Sequence, residues 1–349
     1  MDAKNRDDRL VGFRRVIVLA FLPLALAACS GGGKKTVAKP AEQHLVYVAG
    51  DTPASAHVWI AGVDGSHPRQ LTRGSVAILS PDGRSVAVER HDGIFLVPST
   101  GKGERRLTAK HLEPRGWSPD GKTLVATAAT QNAVVALDLI DRRSGHVRVL
   151  ARGSLYGFDF SPNGDELVYS RAPKATEAGI CGDLFDLYVV KLAGGKPRQL
   201  TRNGFSAFPV WGDSKIAFSR FPQSFNIEDC AAPGIWTIDP NGGKPEPIIA
   251  RAPNELSVSG AYGLQPLAWL DDTHLLAGVR TDAGTRGAVV DTRSQKLSLF
   301  DKYADEPSSD GRFFVGSGGS DELELTITRI SDGKRVFERK DVCCPDWNR

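Results

Sequence analysis

From residue 44 onward, short apolar runs recur along the chain, and a cluster of turn-forming residues follows most of them. Examples are Ser85-Val-Ala-Val88, Ile94-Phe-Leu-Val97 and Glu166-Leu-Val-Tyr169. Short runs rich in Val, Ile and aromatic residues predict β-strands. The 37 glycines and 21 prolines favour many short elements over a few long helices. Strands do not alternate with helical periodicity, so the pattern predicts an all-β protein rather than a parallel α/β sheet.

A Ser-Pro-Asp-Gly signature precedes several of these strands. It occurs at Ser80–Gly83 and Ser118–Gly121, with Asn in place of Asp at Ser161–Gly164, and degenerate copies lie near Trp211, Trp269 and Ser308. In a tight turn Pro presets φ, Asp or Asn bonds to the backbone that follows, and Gly adopts positive φ. We therefore interpret these recurring carboxylates as turn formers rather than catalytic acids. The Trp or Phe before them is interpreted as packing between neighbouring units.

A second signature marks the fourth strand of several units. Pro68–Arg73 recurs letter for letter as Pro197–Arg202, with a weaker copy at Arg105–Thr108. The unit markers lie 38 to 58 residues apart, and four short strands at such a period are typical of a β-propeller. The units resemble the β-propeller repeats of the TolB family, also called WD40-like or PD40 repeats, over residues 44 to about 340.

The number of blades follows from how the units begin and end. Six units carry the Ser-Pro-Asp-Gly signature or a remnant of it, and a further unit at 44–73 lacks a first strand. Propeller rings often close by pairing strands from the two chain ends, and residues 341–349 can supply that strand. We therefore predict one domain over residues 44–349 with seven four-stranded blades; a six-bladed ring, as in TolB itself, is the alternative.

The N-terminus has the pattern of an export signal. Arg14 and Arg15 precede an apolar run over residues 16–28, which is shorter than the roughly 20 residues needed to span a bilayer but suits a signal peptide. The run ends in Leu26-Ala-Ala-Cys29, which resembles the lipobox of bacterial lipoproteins. That resemblance implies lipid attachment to the Cys29 sulfur and cleavage before it. An ordinary secretory signal and an uncleaved anchor are the alternatives.

These features predict the organisation of the precursor. Residues 1–28 form the signal peptide, residues 29–43 the lipidated Cys and a flexible tether, and the propeller follows. The mature protein is expected outside the cytoplasm, with its lipid in the cell membrane or the outer membrane. In TolB itself an extra N-terminal domain precedes the propeller, whereas here only the tether separates Cys29 from the first blade. We therefore expect no direct role in the Tol–Pal system.

Four cysteines remain after Cys29. Cys181 and Cys230 lie in insertions at matching positions of adjacent blades, and an oxidising location favours a disulfide between them over free thiols. Cys343 and Cys344 are adjacent in sequence. Two interpretations are open: a vicinal disulfide between them, or a role in fastening the C-terminus to the rest of the domain. The chain has no Cys-x-x-Cys motif and its seven histidines are scattered, so we expect neither a metal site nor a cofactor.

Irregular loops indicate where a partner would bind. Insertions at 172–185 and 221–234 separate second and third strands, and the blade connection at 252–266 should emerge on the same face. The alternative interpretation is that these loops have diverged in evolution and bind no partner. The candidate partner-binding residues are Glu177, Asp183, Asp186, Phe221, Phe225, Glu228 and Asp229.

Charge and motif content limit the functional classes. The net charge of +3 on 349 residues gives no basic patch of the kind that binds nucleic acid. The TolB resemblance implies a non-enzymatic scaffold that binds an envelope or extracellular protein, and we expect the protein to be a monomer. The alternative is a lactonase- or lyase-like propeller enzyme with a metal in its channel. No Gly-x-Ser-x-Gly elbow occurs, and Asp159 is the one acid in the three inner-strand stretches Ser75–Ile78, Gly157–Phe160 and Ser206–Pro209, so we expect no enzyme.

Overall fold

Antiparallel β-strands account for the architecture of the chain. The computed structural model describes residues 44–50, 55–129, 134–172, 185–221, 234–250, 263–281, 284–308, 310–318 and 324–347. These residues form 28 strands with their turns, in seven sheets of four strands each. Within the same ranges, no helix is long and apolar enough to cross a membrane. The predicted all-β fold with seven blades is confirmed.

The blades follow one another along the chain, and each has four strands that run from an innermost position outward. Blade 1 contains, in that order, β28 (Val342–Trp347), β1 (His44–Ala49), β2 (His57–Gly62) and β3 (Arg69–Arg73). Blade 2 contains β4 (Val76–Leu79), β5 (Ser85–Arg90), β6 (Gly93–Pro98) and β7 (Arg105–Thr108). Blade 3 contains β8 (Glu113–Trp117), β9 (Thr123–Ala129), β10 (Val134–Asp141) and β11 (Val147–Arg152).

The remaining four blades repeat this order. Blade 4 contains β12 (Ser154–Phe160), β13 (Glu166–Ala172), β14 (Asp186–Lys191) and β15 (Arg198–Gln199). Blade 5 contains β16 (Ser206–Trp211), β17 (Ile216–Arg220), β18 (Gly234–Ile238) and β19 (Glu246–Ile249). Blade 6 contains β20 (Gly263–Trp269), β21 (His274–Thr281), β22 (Gly284–Asp291) and β23 (Lys296–Tyr303). Blade 7 contains β24 (Glu306–Pro307), β25 (Phe313–Gly318), β26 (Glu324–Arg329) and β27 (Arg335–Lys340).

The ring closes through the two ends of the propeller. Strand β28 pairs antiparallel with β1, with Leu45 opposite Trp347 and Ala49 opposite Val342. The last strand therefore fills the innermost position that the first unit lacks, and it also contacts β24 and β4 in the neighbouring blades. This is the closure that the sequence predicts.

The hydrophobic core lies between the blades. The second strands are almost wholly buried: Val86, Ala87 and Val88 in β5 have 0% exposure. Side chains from both faces of such a strand pack against adjacent sheets, as in the cluster that joins Val46 and Val58 of blade 1 to Val86 of blade 2. Burial of apolar surface between blades is therefore what holds the ring together.

The Ser-Pro-Asp-Gly signatures form hydrogen-bonded turns. The Ser118 hydroxyl donates to Asp120 Oδ1 at 2.7 Å, and the same oxygen accepts the Lys122 backbone N–H at 3.0 Å. Gly121, with φ of 67°, donates its N–H to the Ser118 carbonyl at 2.7 Å. The turns that begin at Ser80, Ser161 and Ser308 repeat this network. The interpretation of these side chains as turn formers is confirmed.

Arginines in the fourth strands connect successive blades, and three of the four belong to the second signature. Each lies in the fourth strand of its blade and donates to a backbone carbonyl just beyond the third strand of the next blade, so that blades 1 to 5 are joined in series. The pairs are Arg69 with Ser99, Arg105 with Arg142, Arg148 with Leu192, and Arg198 with Pro240, the last at 2.7 Å. The repeated Arg of this motif is thus an inter-blade contact.

Tryptophans connect blades nearer the centre. Trp117 and Trp269 end the innermost strands β8 and β20. Their indole N–H groups donate to the carbonyls of Ile78 and Val210 in the preceding blades, each at 3.3 Å. The interpretation of the aromatic residue before the turn as packing between units is confirmed.

The turns should make stability depend on pH in the acid range. Burial acts to raise the pKa of Asp120, but hydrogen bonds from Lys122 and Ser118 outweigh it and lower the pKa to about 2. Because an unfolded Asp titrates near pH 3.9, this carboxylate stabilises the fold above that pH, and its contribution is lost as the pH falls toward about 2. Asp120→Asn keeps an acceptor, as Asn163 does naturally. We expect urea denaturation of D120N to lose less stability than wild type between pH 5 and 2, whereas equal losses would contradict the assignment.

The arginine contacts should contribute measurably to stability. We expect Arg198→Ala to lower the free energy of unfolding by about 1 kcal/mol, the net value of one hydrogen bond. Arg202→Ala is the matched control, since it removes the same charge from the same motif at an exposed side chain and should change stability by less than about 0.5 kcal/mol. Urea unfolding of both variants tests this, and equal effects would mean that the contact with Pro240 contributes nothing.

Candidate functional site

A cavity with a volume of about 620 Å³ lies along the innermost strands of the propeller. It also reaches Pro81, Pro119 and Pro162 of the Ser-Pro-Asp/Asn-Gly turns. The cavity therefore extends to the end of the channel where first and second strands are joined. Every blade contributes at least one lining residue: Leu79, Trp117, Phe160, Val210, Leu267, Glu306 and Trp347.

Bulges in four innermost strands direct residues into this cavity. The pairing register shifts around Arg115 in β8, Gly157 in β12, Phe208-Pro209 in β16 and Leu267 in β20. All of these residues line the cavity. A bulge leaves its extra residue unpaired and bends the strand, and bulges are frequent next to functional sites because they re-aim side chains.

The bulges of blades 4 and 5 lie directly against each other. Phe208 has a φ of 53°, in the left-handed region that few non-glycine residues adopt. A Cβ on Gly157, whose own φ is 73°, would lie 3.0 Å from the Phe208 Cα. Gly157 is therefore required for the close approach that holds the Phe208 ring at the cavity wall.

The lining is apolar with an excess of carboxylates. Asp159, Asp305, Glu306 and Asp346 line the cavity together with one basic residue, Arg115. Arg115 pairs with Glu113 at 2.7 Å and donates from Nε to Thr127 at 3.1 Å, so a carboxylate already offsets its charge. Carboxylates are therefore the most frequent ionisable groups in the lining. No three His, Cys, Asp or Glu side chains are grouped as metal ligands within the described ranges.

Two of these carboxylates are held by the adjacent blade. Asp346 Oδ2 accepts the Leu79 backbone N–H at 2.6 Å, and Asp159 Oδ2 accepts the Trp211 backbone N–H at 2.8 Å. In both pairs the Asp is the penultimate residue of one innermost strand and the donor ends the next one. The contact fixes the carboxylate in place.

A second group of ionisable residues flanks Arg115 near the start of β8. Burial raises the pKa of Glu89, and the nearby Glu113 raises it further. The Ser75 hydroxyl, which donates to Glu89 Oε2 at 3.4 Å, acts in the opposite direction, as does Arg115. Arg115 thus connects this group to the cavity wall.

Most of the predicted site residues lie outside the described residues. These are Cys29, Cys181, Cys230, Glu177, Asp183, Phe225, Glu228 and Asp229. The backbone of Cys343 and Cys344 belongs to β28. The lipid, disulfide and loop assignments stay predictions.

Two predicted partner-binding residues, Asp186 and Phe221, are described. Asp186 begins β14, and its carboxylate accepts hydrogen bonds from Thr201 Oγ1 at 2.9 Å, the Gly204 N–H at 3.1 Å and Gln199 at 3.2 Å. Phe221 is half-buried beside Ala172, Phe185 and Ala207. Both side chains are therefore held by residues of the strands and turns that flank the insertions.

The predicted 252–266 loop is shorter at its C-terminal end than expected. Gly263 to Pro266 begin strand β20, where Leu264 is fully buried opposite Val279. In each blade the turn between strands one and two and the connection between strands two and three lie at opposite ends of the sheet, because the strands are antiparallel. The 172–185 and 221–234 insertions are therefore attached at the opposite end from the turn prolines of the cavity.

Three acids of the cavity were missed by reasoning from the sequence. Asp305 and Glu306 lie at a very short innermost strand, and Asp346 belongs to the closing strand. A signal existed for Asp346: the pair Asp346-Trp347 repeats the pair Asp159-Phe160, an acid followed by an aromatic residue at the end of a first strand.

Comparison with known proteins identifies the fold. No family model and no curated protein matches the sequence. TolB from Acinetobacter baumannii is 16% identical, with a TM-score of 0.50, over 89% of this chain and 67% of that one. A puromycin-hydrolyzing peptidase of Mycobacterium tuberculosis is 16% identical, with a TM-score of 0.56, over 85% of this chain and 53% of the peptidase, so the chain spans about half its length.

The likeness extends to an enzyme of comparable length. An oligogalacturonate lyase in complex with manganese is 15% identical, with a TM-score of 0.56, over 84% of both chains. At such low identities these similarities concern the fold alone. The resemblance recognised in the repeats is confirmed at that level: the chain has a TolB-like β-propeller fold.

Proposed function

We propose that this protein is an exported lipoprotein, anchored through Cys29, whose propeller binds another protein and catalyses no reaction. The observation that carries the proposal is the channel cavity, to which all seven blades contribute. Its volume of about 620 Å³ falls within the range of about 300–1,000 Å³ typical of binding sites. The cavity would receive part of the partner, and the 172–185 and 221–234 insertions would form a second contact on the opposite face.

The lining is suited to binding rather than to group transfer. Aromatic rings and prolines form much of the wall, including Phe158, Phe208 and Pro209, and these are half-buried or buried. Half-buried apolar groups in a concave site lose their remaining water when a partner covers them, which favours association. Asp159 and Asp346 are occupied in positioning adjacent strands, which suits a structural role better than a catalytic one.

The lipid anchor can be tested independently of binding. We expect Cys29→Ala to abolish incorporation of labelled palmitate and to release the protein from the membrane fraction, because the thioether that holds the lipid cannot form. Ser30→Ala is the control and should leave both properties unchanged. Continued membrane association of the unlabelled Cys29→Ala protein would instead indicate an uncleaved anchor.

Partner binding can be tested by photo-crosslinking in cells. A photoreactive amino acid is placed at Gln265 in the cavity, at Phe221 at the base of an insertion, or at Leu299 in outer strand β23, which is 40% exposed. We expect a discrete protein adduct from Gln265 and none from the control position Leu299.

The other outcomes of the crosslinking experiment are also informative. An adduct from Phe221 alone would place the contact on the insertion face and not in the cavity. Equal adducts from all three positions would indicate non-specific proximity. No adduct from Gln265 or Phe221 would contradict the proposal, and the metal content of the mature protein would then be the next measurement.

A further inference from the structure

We propose that one face of the propeller lies against the anionic phospholipid surface in which the Cys29 lipid is inserted. This is the end of the ring where first strands turn into second strands and third strands turn into fourth strands, here called the turn face. The opposite end, to which the insertions are attached, is called the insertion face. The inference rests on the proposed lipid anchor, and it adds an interaction surface and an orientation.

The chain enters the propeller at the turn face. His44, the first residue of β1, lies opposite Gly62 in β2, and the turn that leads to β3 follows Gly62 directly. On the other side of β1, Leu45 lies opposite Trp347 at the end of β28. Because neighbouring strands are antiparallel, the start of β1 and the end of β28 lie at the same face as the Ser-Pro-Asp-Gly turns.

The length of the tether favours this face. Residues 30–43, 14 in all, separate Cys29 from His44, and their composition predicts a flexible coil. Such a coil has a root-mean-square span of about 20 Å, which is about the length of a strand of six residues. With the insertion face on the membrane, the tether would use most of that span to run along blade 1. Attachment at the turn face needs no such extension and costs less conformational entropy.

Exposed cations recur on the turn face. In each of blades 2 to 7, the turn between third and fourth strands carries an exposed Lys or Arg that forms no ion pair with another described residue. Successive blades follow one another around the ring, so these cations lie around the rim of one face. A flat anionic surface can meet all of them at once, whereas a small ligand would meet one or two. The six are Lys102, Arg143, Lys196, Lys244, Arg293 and Lys334.

The carboxylates of the same turns are held close to the main chain. Asp239 Oδ1 accepts the Asn241 N–H at 2.7 Å, and Glu104 pairs with Arg90 at 2.7 Å. A Lys or Arg stem carries its charge away from the backbone, so the cations approach a flat surface more closely than these carboxylates do. Phosphate headgroups attract such cations. Bonds within the turn like that of Asp239 are also made by Asp64, Asp141, Asp291 and Asp332.

This orientation leaves the insertion face open to a protein partner. Gln265 lines the cavity and lies near the start of β20, toward the insertion face. A partner can therefore reach the cavity from the side away from the membrane. The lipid surface and the protein partner would then occupy opposite ends of the ring.

Vesicle binding tests the contribution of the cations. The mature chain without its lipid, residues 30–349, is sedimented with vesicles of phosphatidylglycerol and phosphatidylcholine, or of phosphatidylcholine alone. We expect binding to the anionic vesicles, weakening as salt is added. Lys196→Gln with Lys244→Gln should weaken it at least about fivefold. Lys110→Gln with Arg202→Gln removes the same charge from exposed side chains at the insertion face and should leave binding unchanged. Equal binding to both kinds of vesicle, or equal weakening by the two pairs, would overturn the inference.

Lipid crosslinking tests the orientation on the lipidated protein. A photoreactive amino acid is placed at Asn241, exposed in the turn of blade 5, or at Ala109, exposed between blades 2 and 3 at the insertion face. In vesicles that hold the lipidated protein, we expect lipid adducts from Asn241 and at least about fivefold fewer from Ala109. Adducts from Ala109 that equal or exceed those from Asn241 would show that the propeller lies the other way round or in no fixed orientation.

These experiments separate the inference from the lipid anchor. If Cys29 takes up no palmitate while the mature chain still binds anionic vesicles through Lys196 and Lys244, the anchor is wrong and the lipid-binding face stands. If the anchor is confirmed and Asn241 yields no lipid adduct, the anchor stands and the orientation is wrong. Adducts from Asn241 to a protein alone, in cells, would assign the turn face to a protein partner and overturn the inference.

Discussion

The pairing of β28 with β1 is the contact on which the rest of the structure depends. Without it, blade 1 would lack its innermost strand and the core between blades 7 and 1 would open to water. That core includes Leu45, Tyr47, Val315, Val342 and Trp347, which are nearly inaccessible to solvent. The pairing joins residues from the two ends of the propeller, so its loop-closure entropy is the largest in the fold and is recovered only when the ring is complete.

Apart from this closure, neighbouring blades are joined by hydrogen bonds that recur from one repeat to the next. Arginines join the outer strands of successive blades, and Trp or Asp side chains join the inner ones. Two kinds of hydrogen bond join the innermost strands of adjacent blades. Trp117 donates to a backbone carbonyl of the preceding blade, whereas Asp159 accepts a backbone N–H from the following one. Because each of these contacts is made to a backbone group, it places no requirement on the identity of the neighbouring side chain, and the repeats are able to diverge widely.

The repeated parts of the fold were predictable from the sequence, and the irregular parts were not. The Ser-Pro-Asp-Gly turns, the blade count and the closing strand follow from local turn chemistry and from counting strands. The cavity depends on bulges, and a bulge at Phe208 or Leu267 leaves no mark in the hydrophobic pattern, because it is set by packing against the next blade. Glu306 was missed because a strand of two residues has no periodicity to detect. Asp186 was assigned to a partner-binding loop because the hydrogen bonds that hold it come from residues 13 to 18 positions away.

The position of the closing strand has a consequence for how the protein matures. Three of the four cavity carboxylates, Asp305, Glu306 and Asp346, lie at the last two innermost strands in chain order. A chain emerging N-terminus first would complete blades 2 to 6 before these groups arrive, and until then its channel would lack most of the carboxylates of its wall. Assembly of the ring and assembly of the cavity wall are therefore a single event, and a nascent or C-terminally clipped chain would have an incomplete cavity.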